Sequence, residues 1–313
     1  MTVQQRDLIV VPDARKDPHF KTLPDVTGGR GVRFYAGRTL SGQPVGTLCL
    51  YHVVPRTLDE AERRTLDGLG TWAEHELQDS ADQDRAYEVQ QALLPVPSGT
   101  AGYELAGICL PYRSVGGDFY SWRETPDRVD LTLVDVMGKG TAAALMAAII
   151  RTAVRAARQG DPAHILDSVA ETLREDLDVT GILATAIQAT IHTGTGEISF
   201  ADAGHGLSLI VGADGSCTRL PSGGFPVGVG EPGSWPTGHA RLEPGDTLIC
   251  SPDGLLDLFG GTLEALDHVA GIVQQAKNPA SVMQRLRELT HGLHPDDDLT
   301  AIAVRRSCAL NSC

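Results

Sequence analysis

The chain has 313 residues, 42% of them hydrophobic and 21% charged, with a formal net charge of −14 at pH 7. That length and apolar content support a large buried core, divided between two units, while the acidic balance excludes nucleic acid or an anionic membrane as the main partner, because both are held by basic surface. The opening MTVQQRDLIVVPDARKDPHF has no basic stretch leading into an apolar one, and no run approaches the ~20 apolar residues of a membrane span, so a cytoplasmic protein is expected.

Near the N-terminus, VRFYAGRTL, a turn at SGQPVG and TLCLYHVV read as two strands of a hairpin. Leu58, Ala61, Leu66, Leu69, Ala73 and Leu77 then recur at helical intervals among charged residues, the pattern of an amphipathic helix. The stretch from Gly31 to Leu77 resembles the C-terminal half of a GAF sensor domain, without the strands that precede it in that family. Residues 1–77 are therefore expected to be a truncated GAF-like α/β segment, its sheet edge and apolar surface either covered by dimerisation or left partly loose. Gln78 to Arg85 are polar apart from Ala81, which marks a boundary. AYEVQQALLP resumes a helix, with Ala86, Val89 and Leu93 on one face before Pro95 stops it. A linker helix over 78–95 is expected, packing onto the following domain or onto a second copy of itself.

From residue 96 to 306 strand and helix signals alternate. YELAGICLPY, DRVDLTLVDV, TAIQATIHT, EISFADAG, LSLIVGADGSCTRL and LTAIAV read as strands, several joined by turns such as TGTGE and GADG. TAAALMAAIIRTAVRAARQG, PAHILDSVAETLREDL and SVMQRLRELTHGL read as helices. The six cysteines show no CxxC spacing, which argues against zinc or a redox motif. Cys49, Cys109 and Cys250 fall in apolar runs and are expected to be buried, whereas Cys308 and Cys313 lie at or near the tail, 307–313.

Chemistry is concentrated in four aspartates: Asp118 in SVGGDFY, Asp135 in TLVDVMGKG, Asp253 in CSPDGLL and Asp297 in HPDDDLT. Singly, each reads as a turn residue. Asp135 and Asp253 follow apolar strand-like runs and Asp297 precedes one, and carboxylates brought together from distant rigid supports are what a hard divalent cation requires. Gly138 and Gly140 allow a tight turn ahead of a helix beginning at Thr141, and Gly116 and Gly117 do the same before Asp118. The GKGT string lacks the GxxxxGK[ST] spacing of a phosphate-binding loop, so an ATPase is not expected.

The motifs GGDFY, DVMGKGTAAALMAA, ADAGHGLSLI, GGFPVGV, LEPGDTLICSPDGLLD and DDLTAIAV occur in one fixed order. On them the chain from about Pro95 to Arg306 resembles the SpoIIE/RsbU-like branch of the PPM metal-dependent serine/threonine protein phosphatases. The resemblance implies an α+β fold, a two-sheet antiparallel sandwich flanked by helices, holding two Mn²⁺ or Mg²⁺ ions that activate water. It implies that Asp135 bridges both ions with the Val136 carbonyl completing one shell, that Asp253 and Asp297 bind the other ion, and that Asp118 holds metal-bound water. Within the DDD run, Asp297 aligns as the ligand and Asp298 as its neighbour or substitute. Arg113 is a candidate phosphate clamp through its planar fork, and His205 a candidate proton donor, with a structural role as its alternative. Ser121 stands where the family pattern carries aspartate.

The expected activity is hydrolysis of phosphoserine or phosphothreonine on a protein. The resemblance points to a phosphorylated anti-sigma factor antagonist as substrate and to a homodimer assembled through the linker helix. Two other readings remain: a catalytically weak regulatory module that binds a phosphoprotein, and hydrolysis of a small phosphate metabolite, which the absence of an obvious specificity insertion disfavours.

Overall fold

In the computed structural model, which describes residues 8–40, 46–100, 102–157, 160–290 and 297–308, every pairing between named strands is antiparallel. The chain divides into two units, Met1–Ala86 and Tyr87–Cys313.

In the first unit, β1 (Ile9–Val11), a short helix α1 (Pro24–Thr27), β2 (Phe34–Leu40) and β3 (Gly46–His52) precede α2 (Glu60–Leu93), and the sheet order is β1-β2-β3. The expected hairpin is β2–β3, with Phe34 opposite His52 and Leu40 opposite Gly46. Turn residues 41–45 lie outside the described residues. Phe34, Ala36, Leu58 and Leu66 form a small buried cluster. β3 is an edge strand, and Leu50, Tyr51, Val53 and Val54 around it are exposed. For the same reason Cys49, expected to be buried, is exposed. Leu69 and Trp72 also face outward, so the buried seam of α2 is narrower than the sequence pattern suggests.

The polar run Gln78–Arg85 does not interrupt α2, which continues through it. It contains no glycine or proline, and Gln, Ala and Arg are good helix formers on an exposed stretch. A reciprocal cap starts the helix: Glu62 N donates to Asp59 Oδ1 at 2.8 Å and Asp59 N to Glu62 Oε2 at 3.0 Å.

The second unit runs β4 (Ser98–Thr100), β5 (Tyr103–Leu110), β6 (Phe119–Glu124), β7 (Arg128–Val136), α3 (Thr141–Ala156), α4 (Pro162–Thr172), α5 (Arg174–Thr180), β8 (Ala184–His192), β9 (Glu197–Ala203) and β10 (Ser208–Val211). It continues with β11 (Cys217–Arg219), β12 (Gly238–Arg241), β13 (Thr247–Cys250), α6 (Gly254–Asp257), α7 (Ala265–Gln275), α8 (Pro279–Thr290) and β14 (Leu299–Arg306). One sheet has the order β11-β10-β13-β14-β5-β4 and the other β12-β9-β8-β7-β6. Leu105, Leu248 and Ile302 of the first meet Leu131, Ile187 and Phe200 of the second in a shared core. Helices α3, α4 and α5 bury Met146, Ile150, Leu166 and Leu177 on the outer face of the five-stranded sheet. Leu255, Val269, Val282 and Leu286 from α6, α7 and α8 cover the six-stranded one. This is the expected two-sheet α+β sandwich flanked by helices.

The α4–α5 segment, read as one helix, breaks at Leu173, and β6, β12 and α7 carry sequence signals too short or too interrupted to read. Residues 291–293 of the last predicted helix, and Cys313 of the tail, lie outside the described residues. No helix among the described residues is long and apolar enough to cross a membrane.

Ile187, on β8, is 0% exposed between the sheets. Ile187→Ala should lower unfolding free energy by about 2–5 kcal/mol in urea denaturation. Val179→Ala, at a residue 87% exposed, should stay within about 0.5 kcal/mol of wild type.

Candidate metal centre

Strand register brings the four predicted aspartates to one end of the sandwich. Asp118 directly precedes β6, whose Phe119 pairs with Val134 near the end of β7, and Asp135 is the next residue on β7. On the other sheet, Asp253 follows β13 and N-caps α6, while Asp297 and Asp298 lead into β14, whose Leu299 pairs with the last residue of β5.

Glycines permit the close approach. A Cβ on Gly116 would lie 2.2 Å from Asp298 Oδ2, one on Gly117 2.6 Å from the Val136 carbonyl oxygen, and one on Gly254 2.0 Å from the Asp298 carbonyl oxygen. These three are excluded from bearing side chains by neighbours. Gly138 and Gly140, by contrast, are needed for conformation, with φ of 101° and 78°, and they form the expected tight turn into α3.

The two adjacent aspartates have separate contacts. Asp298 is 5% exposed and its carboxylate accepts Tyr112 N at 2.7 Å and Gly117 N at 2.9 Å, so it fastens the loop between β5 and β6. Asp297 is outward, 3.1 Å from Lys139 Nζ, and that ammonium lies 5.0 Å from the centroid of the Tyr112 ring. Sequence reading passed over Lys139 and Tyr112. The signal for Lys139 was a cation set between two turn glycines beside Asp135. Arg113 is exposed in the β5–β6 loop rather than on a strand, with Cδ 3.6 Å from where a Gly140 Cβ would stand, and so borders the turn that opens α3.

Burial and then mutual repulsion favour the protonated form of two members of the cluster. Burial, then the charges of Asp135 and Asp298, push Asp118 well above the usual carboxylate range. Burial, then the charge of Asp253, raise Asp135 to about 6, with Asp297 and Asp298 adding to the rise. Asp118 Oδ2 is buried without a hydrogen-bond partner among the described residues. An all-oxygen donor set that repels itself and includes an orphaned buried carboxylate oxygen fits a hard divalent cation. Among the described residues no three acidic, imidazole or thiol groups converge tightly enough to define a coordination sphere. The carboxylates are gathered, and the Asp297–Lys139 pair sits at their edge.

His205 belongs elsewhere. Asp202 caps its turn, accepting His205 N and Gly206 N at 2.8 Å each and the Ser222 hydroxyl at 2.7 Å. Burial lowers the imidazole to about 4 despite the nearby Asp202 charge, and neither ring nitrogen has a partner among the described residues. A buried imidazole that is neutral at pH 7 has only its weakly acidic N–H and no imidazolium proton for a leaving group, which favours the structural option over the donor one.

The raised Asp135 implies a measurable pH dependence. An acid whose folded-state value exceeds its unfolded one opposes folding increasingly as pH rises from about 4 to 6. Metal-free Asp135→Asn should therefore melt several degrees above metal-free wild type at pH 7.5, and the gap should close as pH falls below about 5. Differential scanning calorimetry in EDTA across that range checks this.

Residues 125–307, more than half of the chain, match the family described as Stage II sporulation protein E (SpoIIE), and residues 1–77 match the GAF domain. The chain is 25% identical over 260 residues to the phosphoserine phosphatase RsbU of Bacillus subtilis, covering 78% of this chain and 74% of that one. It superposes on the SiaA PP2C domain of Pseudomonas aeruginosa with a TM-score of 0.64 and 25% identity, over 74% of this chain and 99% of that one. On the RsbU and RsbW domains of Mycobacterium tuberculosis Rv1364c the TM-score is 0.58 with 27% identity, over 66% of this chain and 62% of that longer one. The chain belongs to the SpoIIE family of PP2C-type protein phosphatases.

Proposed function

We propose that the chain is a divalent-metal-dependent phosphatase acting on phosphoserine or phosphothreonine in a protein. The observation that carries this reading is the convergence of Asp118, Asp135, Asp253 and Asp297, from four distant segments, at one end of the sandwich, where burial and neighbouring carboxylates raise Asp118 and Asp135 above the usual carboxylate range. Asp135, the Val136 carbonyl, Asp253 and Asp297 would hold Mn²⁺ or Mg²⁺, two ions in all, with Asp118 orienting water beside them. When bound, such ions make water acidic enough to attack a phosphoester near neutral pH and neutralise phosphoryl charge.

Other residues divide the remaining work. Arg113, exposed at the rim beside Gly140, presents a guanidinium fork to phosphoryl oxygens. Asp298 clamps the Asp118 loop through backbone N–H groups on both of its oxygens, which leaves Asp297 as the freer metal ligand of the pair. A covalent cysteine route is disfavoured. Cys109 and Cys250 are buried, and burial pushes the Cys250 thiol up to about 12 and Cys109 higher still, so neither supplies a thiolate.

In this reading residues 96–306 are the catalytic domain, 78–95 the linker, 1–77 a GAF-like sensor segment and 307–313 a tail. The protein works in the cytoplasm as a homodimer, and its substrate is a phosphorylated anti-sigma factor antagonist. Likeness to the phosphoserine phosphatase RsbU supports a phosphoserine substrate, and the exposed edge strand β3 supports self-association.

Turnover of a phosphoserine peptide and of p-nitrophenyl phosphate by the full chain should require Mn²⁺ or Mg²⁺ and stop in EDTA. Asp135→Ala should cost about 10³-fold in kcat, equivalent to several kcal/mol of charge stabilisation, with an unchanged circular-dichroism spectrum. Full activity in that variant, or none in folded wild type with metal, would refute the hydrolase and favour a phosphoprotein-binding module. Arg113→Ala should raise KM for the phosphopeptide more than it lowers kcat.

A further inference from the structure

The last turn of α2 is hydrogen-bonded into the loop that carries Asp118. Gln90 Nε2 donates to the Gly116 carbonyl at 2.8 Å, and Gly116 N donates to Gln90 Oε1 at 3.2 Å. One side-chain amide thus grips both the N–H and the C=O of a single residue. The neighbouring Gln91 Nε2 donates to the Cys109 carbonyl at 3.1 Å, and Cys109 Sγ lies 3.6 Å from the Asp118 carbonyl it donates to. The helix end is tethered in turn by Arg151 of α3, which donates to the Leu93 carbonyl at 2.6 Å.

These contacts matter because of what they hold. Gly116 and Gly117 have no side chains with which to fix themselves, and glycine has the largest conformational freedom to lose. The surroundings must restrain the loop instead. Asp298 does so from one side, through Gly117 N and Tyr112 N, and Gln90 does so through Gly116. Asp118, the next residue after Gly117, is buried, and its Oδ2 has no hydrogen-bond partner among the described residues, so its position depends on the loop that carries it.

We propose that Gln90 is a positioning residue for Asp118, making the final turn of α2 part of the phosphatase site. This rests on the function proposed above. Any partner or signal that frays or shifts that turn would release the Gly116 peptide, loosen Asp118 and lower turnover without touching the metal-facing carboxylates. The device acts on geometry alone.

The test uses the full chain carrying Gln90→Ala, Gln90→Glu, or Val89→Ala as a control on the same turn at an exposed residue. Gln90→Glu keeps the length and the acceptor for Gly116 N but turns an oxygen towards the Gly116 carbonyl. Both Gln90 variants should lose about 10- to 100-fold in kcat for the phosphopeptide, the scale of a small misplacement, with KM within about threefold of wild type. Their Mn²⁺ titrations by calorimetry should weaken in parallel, while their melting temperatures stay near that of Val89→Ala. Gln90 variants with wild-type kcat and Mn²⁺ affinity would overturn the proposal, as would losses that merely follow a lowered melting temperature. Absence of metal-dependent turnover in wild type would instead bring down the phosphatase reading, and this inference with it.

Discussion

Like charges that cannot move apart are the constraint on which the phosphatase unit turns. Asp118, Asp135, Asp253, Asp297 and Asp298 arrive at one end of two packed sheets, and burial keeps water from screening Asp118, Asp135 and Asp298. Coulomb repulsion between carboxylates a few ångströms apart is worth several kcal/mol at a partly buried site. The fold must offset that cost locally. Backbone N–H groups at Tyr112 and Gly117 do so for Asp298, and Lys139 does so for Asp297. Asp118 and Asp135 are left to retain protons, which is why they are the places where a divalent cation would gain most.

The contrast between Asp297 and Asp298 follows from strand geometry. Successive residues entering a strand point to opposite sides, so one carboxylate of the DDL sequence turns inward to the β5–β6 loop while the other reaches the rim. Gly116 and Gly254 make room for the inward one: a side chain at the first would strike its carboxylate, and at the second its backbone. A pair that looks redundant in sequence is thus a clamp and a rim carboxylate held in fixed relation by one peptide bond.

How far the site was legible depended on whether each residue's surroundings were local. Asp135 and Asp253 could be placed because apolar runs ending in Asp-Val-Met-Gly and Pro-Asp-Gly announce strand ends, and the glycine turn before Thr141 announces the start of α3. The duty of Asp298 could not be read, because its partners lie 186 and 181 residues away in sequence. His205 was ambiguous for a similar reason: AGHG marks a turn, but whether its ring faces a substrate or the interior depends on packing from other strands. Cys49 misled because an apolar strand is buried only when something covers it, and β3 is at the edge of its three-stranded sheet. The polar stretch from Gln78 to Arg85 does precede the division between the two units at Ala86, but it is no break in the helix. Charge and amide side chains mark a boundary by composition, yet they are compatible with a solvated helix and leave α2 unbroken.

That unbroken helix has an unusual distribution of support. Leu66 and Gly70 are its buried residues, and most of its 34 residues are exposed. Helical stability in proteins comes mainly from a packed apolar face, and α2 has little of one beyond its first three turns. Its ends are defined instead by hydrogen bonds: the Asp59–Glu62 cap at the start, and Gln90, Gln91 and the Leu93 carbonyl at the finish. A helix fixed chiefly by such contacts can lose one end at modest cost, because a few hydrogen bonds contribute only about 0.5–1.5 kcal/mol each. The end in question grips the peptide next to Asp118, so a distortion of that end is one the carboxylate cluster would feel.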